Sequence, residues 1–243
     1  MIRPAVPKAH STAAHRTKGS LVSRSVLQYL RWLFMPPALL LVACGNTPPQ
    51  PDWQMNAKSA MDRAQQAYLT GNNRVEVAEF ARARAEVAST GRADLMARIE
   101  LARCATRVAS LVFEPCVGFV PLAQDAAAPE RVYADYLAGR VQASDAALLP
   151  EQHRAAAVAS AQVPNLKSMT DPLARLVAAG VMLQTSRADP SVIAVAIDTA
   201  SAQGWRRPLL AWLGVQAQRA EAAGDAGEVA RIRRRIALAG EGR

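Results

Sequence analysis

The stretch ADLMARIELARCATRVASLV, residues 93–112, carries apolar side chains on two adjoining stripes when wound at 3.6 residues per turn. Leu95, Ile99, Ala102, Ala109 and Val112 make one stripe; Ala97, Leu101, Cys104, Val108 and Leu111 make the other. A helix that is apolar over more than half its circumference must be covered on more than one side, which predicts a helix in the middle of a stack rather than at its edge. The abundant alanines let neighbouring helices approach closely. No segment alternates with period two for long enough to argue a strand, so the reading is an all-α fold.

Working outward, glycines and prolines divide the rest of the chain into further helices. Residues 52–70 end at Gly71, a left-handed cap, and 73–90 end at Gly91; the central helix stops before Pro115. Pro129, Pro150, the pair Asp171-Pro172, Pro190 and Pro208 each open a segment, running to about 143, 161, 186, 203 and 223, and a last helix covers 227–239. That last helix has a single stripe, Val229, Ile232, Ile236 and Ala239. Nine helices joined by short turns predict antiparallel hairpins, stacked as a short solenoid or bundle over residues 52–243.

The chain before residue 52 has a different character. Residues 32–43 form a 12-residue apolar run broken only by Pro36 and Pro37, with Arg24 and Arg31 before it. A transmembrane helix needs about 20 such residues, whereas a secretory signal core needs about 7–15 after positive charge and before a small residue. The run closes on Leu41-Val42-Ala43-Cys44, which resembles the lipobox of bacterial lipoproteins. The resemblance implies cleavage between Ala43 and Cys44 and acylation of Cys44, so that residues 1–43 are a signal peptide. Multiple acyl chains give stable membrane attachment, each buried methylene contributing about 0.8 kcal/mol. Because 43 residues exceed the usual leader of about 15–30, initiation at Leu21 or Val22 is the better fit, which puts residues 1–20 outside the protein or in an extension outside the fold. In Gram-negative members of the family an Asp after the cysteine retains the protein in the inner membrane. Gly45 stands there in this chain, so the resemblance implies sorting to the outer membrane, facing the periplasm. Residues 44–51, Cys-Gly-Asn-Thr-Pro-Pro-Gln-Pro, read as an extended tether with a reach of roughly 20 Å.

Removing the leader changes the charge. The full chain has 29 basic and 20 acidic residues, but residues 1–43 hold six of the basic ones and no acidic one, leaving a mature protein near +3. That balance does not support a nucleic-acid binder, which keeps a strong basic stripe on its folded domain. A local cluster remains in the last helix at Arg231, Arg233, Arg234 and Arg235. It reads as a solvated face, or as a contact for anionic head groups or an acidic partner. Cys104 and Cys116 are the cysteines left after Cys44, an even pair in an exported chain, and are expected to pair in a disulfide worth roughly 3 kcal/mol in the chain-entropy description.

The chemical inventory is thin. His153 is the single histidine after the leader, too few for a metal site, and phosphate-loop, dinucleotide and Gly-x-Ser-x-Gly motifs are absent. Glu76, Glu79, Glu86 and Glu100 alternate with arginines at three- and four-residue spacing, the pattern of a solvated face with ion pairs. No cofactor, metal or small-molecule substrate is indicated and no catalysis is expected. Trp205, Arg206, Arg207 and Trp212 gather at a helix start; core packing is the ordinary reading of the tryptophans, but if exposed they would anchor a partner together with Arg231, Arg234 and Arg235.

Two hairpins resemble degenerate tetratricopeptide units. In the first, Ala64, Ala67 and Tyr68 precede Gly71 and then Ala78, Ala81 and Ala85; in the second, Leu213, Gly214 and Ala217 precede Gly224-Asp225 and Ala230. The likeness covers about a third of the chain, departs from the family in its first turn and in lacking the closing proline, and implies a surface that binds another protein. The combined expectation is an outer-membrane lipoprotein whose helical domain binds envelope proteins as a scaffold, pilotin or assembly accessory. The alternative is a cell-wall hydrolase or muropeptide-binding lipoprotein, distinguished by two carboxylates converging in a cleft.

Overall fold

The computed structural model describes residues 51–158 and 165–241, within one compact unit spanning Pro49–Arg243. The leader, the lipobox with Ala43 and Cys44, and the tether up to residue 50 lie outside the described residues; the helix expected to reach 161 ends already at Ala157, because Val158 is extended at φ −78° and ψ 123°. The described residues are all-helical, with α1 Asp52–Thr70, α2 Asn73–Ala88, α3 Ala93–Ala109, α4 Ala128–Leu137, α5 Glu151–Ala157, α6 Pro172–Gln184, α7 Pro190–Ala202, α8 Arg206–Ala222 and α9 Ala226–Glu241. Short 3-10 turns at Val120–Leu122, Ala143–Leu148 and Leu166–Ser168 fill the middle of the chain. No described helix is long and apolar enough to cross a membrane.

Most helix starts follow local chemistry. The carboxylate of Asp171 accepts from Leu173 N at 2.9 Å with Pro172 at the first helical position, and that of Asp189 accepts from Ser191 N and Val192 N ahead of α7. Gly71 takes the left-handed conformation at φ 94° and closes the α1–α2 hairpin. Further boundaries differ from expectation, three of them with a visible cause. Helix α3 stops three residues early, because Leu111 itself adopts φ 61° and Val112 N bonds back to Arg107 O at 2.9 Å. The segment from Pro129 is helical only to Leu137, and Gly139 turns the chain into a 3-10 stretch. Helix α8 begins at Arg206, two residues before Pro208, with Trp205 at its cap.

Helix α3 occupies the middle of the fold, packed against α1, α2, α4 and α6. Of its two stripes, Ala97, Leu101, Cys104 and Val108 are buried, while Leu95, Ile99 and Ala102 are half-buried. The α3–α6 crossing is close because Gly180 faces α3: a Cβ there would overlap the Val108 carbonyl. The chain also returns on itself. Helix α8 packs on α7 and α9 and touches α1, more than 130 residues earlier. In a solenoid each unit meets mainly its neighbours, and the contact of α8 with α1 is one that goes beyond neighbouring hairpins.

The face that α2 buries is not the one the repeat likeness implies. Ala78, Ala81 and Ala85 are exposed, as is Ala230 in the last hairpin. The buried set on α2 is Glu76, Glu79, Phe80, Ala83 and Val87. The glutamates are therefore not a solvated face. Glu76 accepts from Arg103 Nε at 2.7 Å with Arg107 at 3.7 Å, Glu79 meets Arg63 and Arg82 at 2.9 and 2.8 Å, and Glu100 pairs with Arg84. Only Glu86 of the four is half-exposed. The guanidiniums of Arg103 over Phe80 and of Arg107 and Arg207 over Tyr68 extend this network into the apolar interior.

Candidate functional site

The residues that could anchor a partner are distributed differently from the sequence expectation. Trp212 is fully buried, its indole N–H donating to Ala109 O at 3.2 Å, which ties α8 to the end of α3. Trp205 is buried as well and donates to Gln66 Oε1 at 3.0 Å. Arg207 donates to Tyr68 O at 2.7 Å and to Asn73 Oδ1, with its guanidinium 4.3 Å from the Tyr68 ring centre. Arg206 is half-buried against the Gly71 turn. This segment is therefore a clamp between α8 and the first hairpin, and neither tryptophan offers a ring to a partner. In α9, Arg231 pairs with Glu228 at 2.5 Å and Arg233 with Glu221 at 2.8 Å; Arg234 is exposed and Arg235 half-exposed beside them. The helix carries cations on its outer side, partly balanced by its own Glu228 and by Glu221 of α8.

Two clefts flank α4. The first, about 450 Å³, lies where the 113–123 segment passes over α4 and the end of α6, with Cys116, Phe119, Ala134 and Leu137 among its lining. Cys104 and Cys116 stand with Cα atoms 5.8 Å apart and sulfurs at disulfide distance, which holds the start of this segment to α3. Gly118 lies close beside it, and a Cβ at that position would displace the Glu100 carboxylate. Around the cleft, Phe113, Val117 and Val120 are exposed, Val117 to 77%. Its two carboxylates, Glu114 and Asp135, are both exposed, and Asp135 lies 3.3 Å from Arg140.

The second cleft, about 430 Å³, opens between α3, α4 and the starts of α5 and α6. Its walls are apolar, with Leu101, Leu149 and Leu173 among them, and its polar groups are Arg98, Glu130, Tyr133, His153, Gln65 and Gln152. Glu130 is buried in the first turn of α4 and its Oε1 accepts from Arg98 Nε at 2.6 Å. Its Oε2 is also buried and has no hydrogen-bond partner. His153 lies 2% exposed, with Nδ1 3.2 Å from the Tyr136 hydroxyl, and its ring centre is 5.7 Å from that of Tyr133 and 5.0 Å from that of Tyr136. Burial pushes the imidazole down to about 4, against a smaller opposing pull from Asp171, so His153 is neutral at pH 7. Burial likewise raises both tyrosine hydroxyls, which stay protonated.

Sequence reasoning passed over Glu130, Arg98 and Tyr133 as a group. Arg98 and Glu130 are 32 residues apart on different helices, and only their packing reveals the pair. Among the described residues no three His, Cys, Asp or Glu side chains are placed to hold a metal ion. No protein-family model matches the chain, and neither the curated proteins nor the solved structures contain a match to it.

Proposed function

We propose that this chain is a lipid-anchored protein of the bacterial outer membrane, facing the periplasm, whose helical domain docks another envelope protein without catalysis of its own. The observation that carries the anchoring is the sequence Leu41-Val42-Ala43-Cys44 at the end of a 12-residue apolar run, eight residues ahead of Asp52, where α1 begins. A lipid on Cys44 would then hold the bundle close to the membrane through a short proline-rich spacer. The docking reading is supported by the first cleft and its rim. Phe113, Val117 and Val120 are exposed large apolar side chains clustered on one segment, and the pairing of Cys104 with Cys116 gives that segment a fixed base. Exposed apolar side chains gathered at one place mark interaction surfaces more often than scattered ones do.

Anchoring is tested with Cys44→Ser followed by palmitate labelling and membrane fractionation. The wild-type chain should incorporate label and partition with outer membranes, and the variant should remain an unprocessed precursor. Equal labelling of both would remove the lipoprotein reading. Docking is tested by placing a photo-crosslinking side chain at Val117 and, as a control, at Arg234 on the far helix. A single defined adduct at 117 that disappears in Val120→Asp supports the surface. Identical adducts from both positions would mean that the 113–123 segment has no dedicated partner.

A further inference from the structure

Residues 113–125 leave α3 past the Leu111 turn and run back along the helix as a strap. Cys116 is bonded to Cys104, and two residues further on Gly118 lies against the carboxylate of Glu100, one helical turn before Cys104. The 3-10 turn Val120–Leu122 then packs on α3. The strap makes its hydrogen bonds with itself: Val117 N donates to Pro115 O, Phe119 N and Val120 N to Cys116 O, and Leu122 N to Phe119 O. Among the described residues no hydrogen bond or ion pair joins 113–125 to an α-helix. What holds the strap is the sulfur bridge and a small apolar contact, in which Phe119 is buried and Leu122 and Ala123 are half-buried. The bundle does not depend on the bridge in the same way, because α3 is packed on α1, α2, α4 and α6 and Ala109 at its end accepts the Trp212 indole N–H. Cys116 is half-buried and lines the first cleft, whereas Cys104 is buried on α3, so the bridge is approached from the Cys116 side.

We propose that the Cys104–Cys116 disulfide is a redox latch: exchange with a dithiol releases residues 113–125 from α3 while the helical bundle stays folded, and re-oxidation fastens them again. In the exchange one thiolate of the dithiol attacks Cys116 Sγ, and Cys104 leaves as a thiolate and takes up a proton. The second thiol of the reagent, losing its proton, attacks the reagent sulfur held in the mixed disulfide and frees Cys116, which is protonated in turn. The protein gains two electrons and two protons, and the dithiol becomes a disulfide. In the open state Phe119 and Glu100 meet water, and Phe113, Val117 and Val120 no longer share a fixed base. The strap carries the docking rim proposed above, but the latch is a property of this chain and stands whether or not that rim has a partner.

The test uses the intact purified chain in non-ionic detergent without denaturant, treated with dithiothreitol and followed by hydrogen-exchange mass spectrometry. In the reduced protein the amides of 117–125 should exchange about tenfold faster or more, with those of α3 and α6 unchanged. Cys104, covered by the strap in the oxidised protein, should become alkylated by iodoacetamide under the same conditions, and far-ultraviolet circular dichroism should keep its helical signal. Glutathione disulfide, which re-forms the bridge, should return the exchange of 117–125 to its starting rate. Cys104→Ser with Cys116→Ser should match the reduced wild type, and the reduced wild type decides the matter if that variant does not fold. A bridge that dithiothreitol opens only in denaturant, exchange at 117–125 that reduction leaves unchanged, or acceleration spread equally over α3 and α6 would each overturn the latch.

Discussion

His153 is set within two aromatic rings of α4 and buried from water, and its chemistry follows from that placement alone. Its imidazole is held down to about 4 in the folded protein against 6.5 when exposed. The folded state therefore binds fewer protons than the unfolded chain between those values. The His153 contribution to stability should be fully present above about pH 7 and be lost as pH drops through that window, by on the order of 2–3 kcal/mol. Urea unfolding of wild type and His153→Gln at pH 7 and pH 4.5 checks this, since the variant keeps an acceptor for Tyr136 but should lose that part of the pH dependence. Gly180 makes a steric case of the same kind. Gly180→Ala drives a methyl group into the Val108 carbonyl, and overpacking of this sort should lower stability by about 1–3 kcal/mol. An unchanged midpoint in denaturant would mean that α3 and α6 can move apart freely. Neither residue announces itself in the sequence. A lone histidine on an alanine-rich helix and a glycine inside an apolar one acquire their roles from what the other helices place against them.

At the scale of the element, starts were more legible than ends. Asp171-Pro172 and Asp189-Pro190 act through their own side chains and ring, and among the ends Gly71 acts through its own φ angle, so their effect is written locally. The ends of α3 and α6 are set instead by Leu111 and Ser186, non-glycine residues in left-handed conformations at φ 61° and 58°. Nothing in their residue types signals a cap, which is why residues 93–112 read as one helix to its last residue. Ser186 is exposed, and Arg187 N closes the turn onto Met182 O at 2.7 Å. Ser186→Gly should therefore stabilise the protein by up to about 1 kcal/mol by removing the Cβ strain; a lower melting temperature for this variant would show that the serine is held by something other than the turn. The inner face of α2 was the harder matter. Its alanines sit at the spacing of a packing stripe, yet Glu76 and Glu79 go inside, because the facing surfaces of α1 and α3 offer Arg63, Arg103 and Arg107. A charged residue can be buried when the partner helix brings the opposite charge, and that depends on which helices meet.

Over the whole molecule, the Cys104–Cys116 pair closes a local loop onto α3, while the return of α8 to α1 joins parts of the chain 139 residues apart. Peptide mapping under non-reducing conditions should recover one fragment pair linked through these cysteines. Cys104→Ser with Cys116→Ser should cost roughly 3 kcal/mol, and two alkylatable thiols in the native protein would contradict the pairing. The sequence by itself determined the helical class, most helix starts and the expectation of a lipidated Cys44, since each rests on periodicity, backbone preference or a contiguous motif; the pairing of Cys104 with Cys116 was expected only from the cysteine count once Cys44 is set aside. Tertiary structure alone decided that α8 returns to α1, that Trp205, Arg207 and Trp212 work inside the protein, and that Arg98, Glu130, Tyr133 and His153 share one cleft. The reason is physical. Local conformation depends on neighbours in the chain, whereas burial, ion pairing and a shifted proton affinity depend on neighbours in space, and those are chosen only when the helices pack.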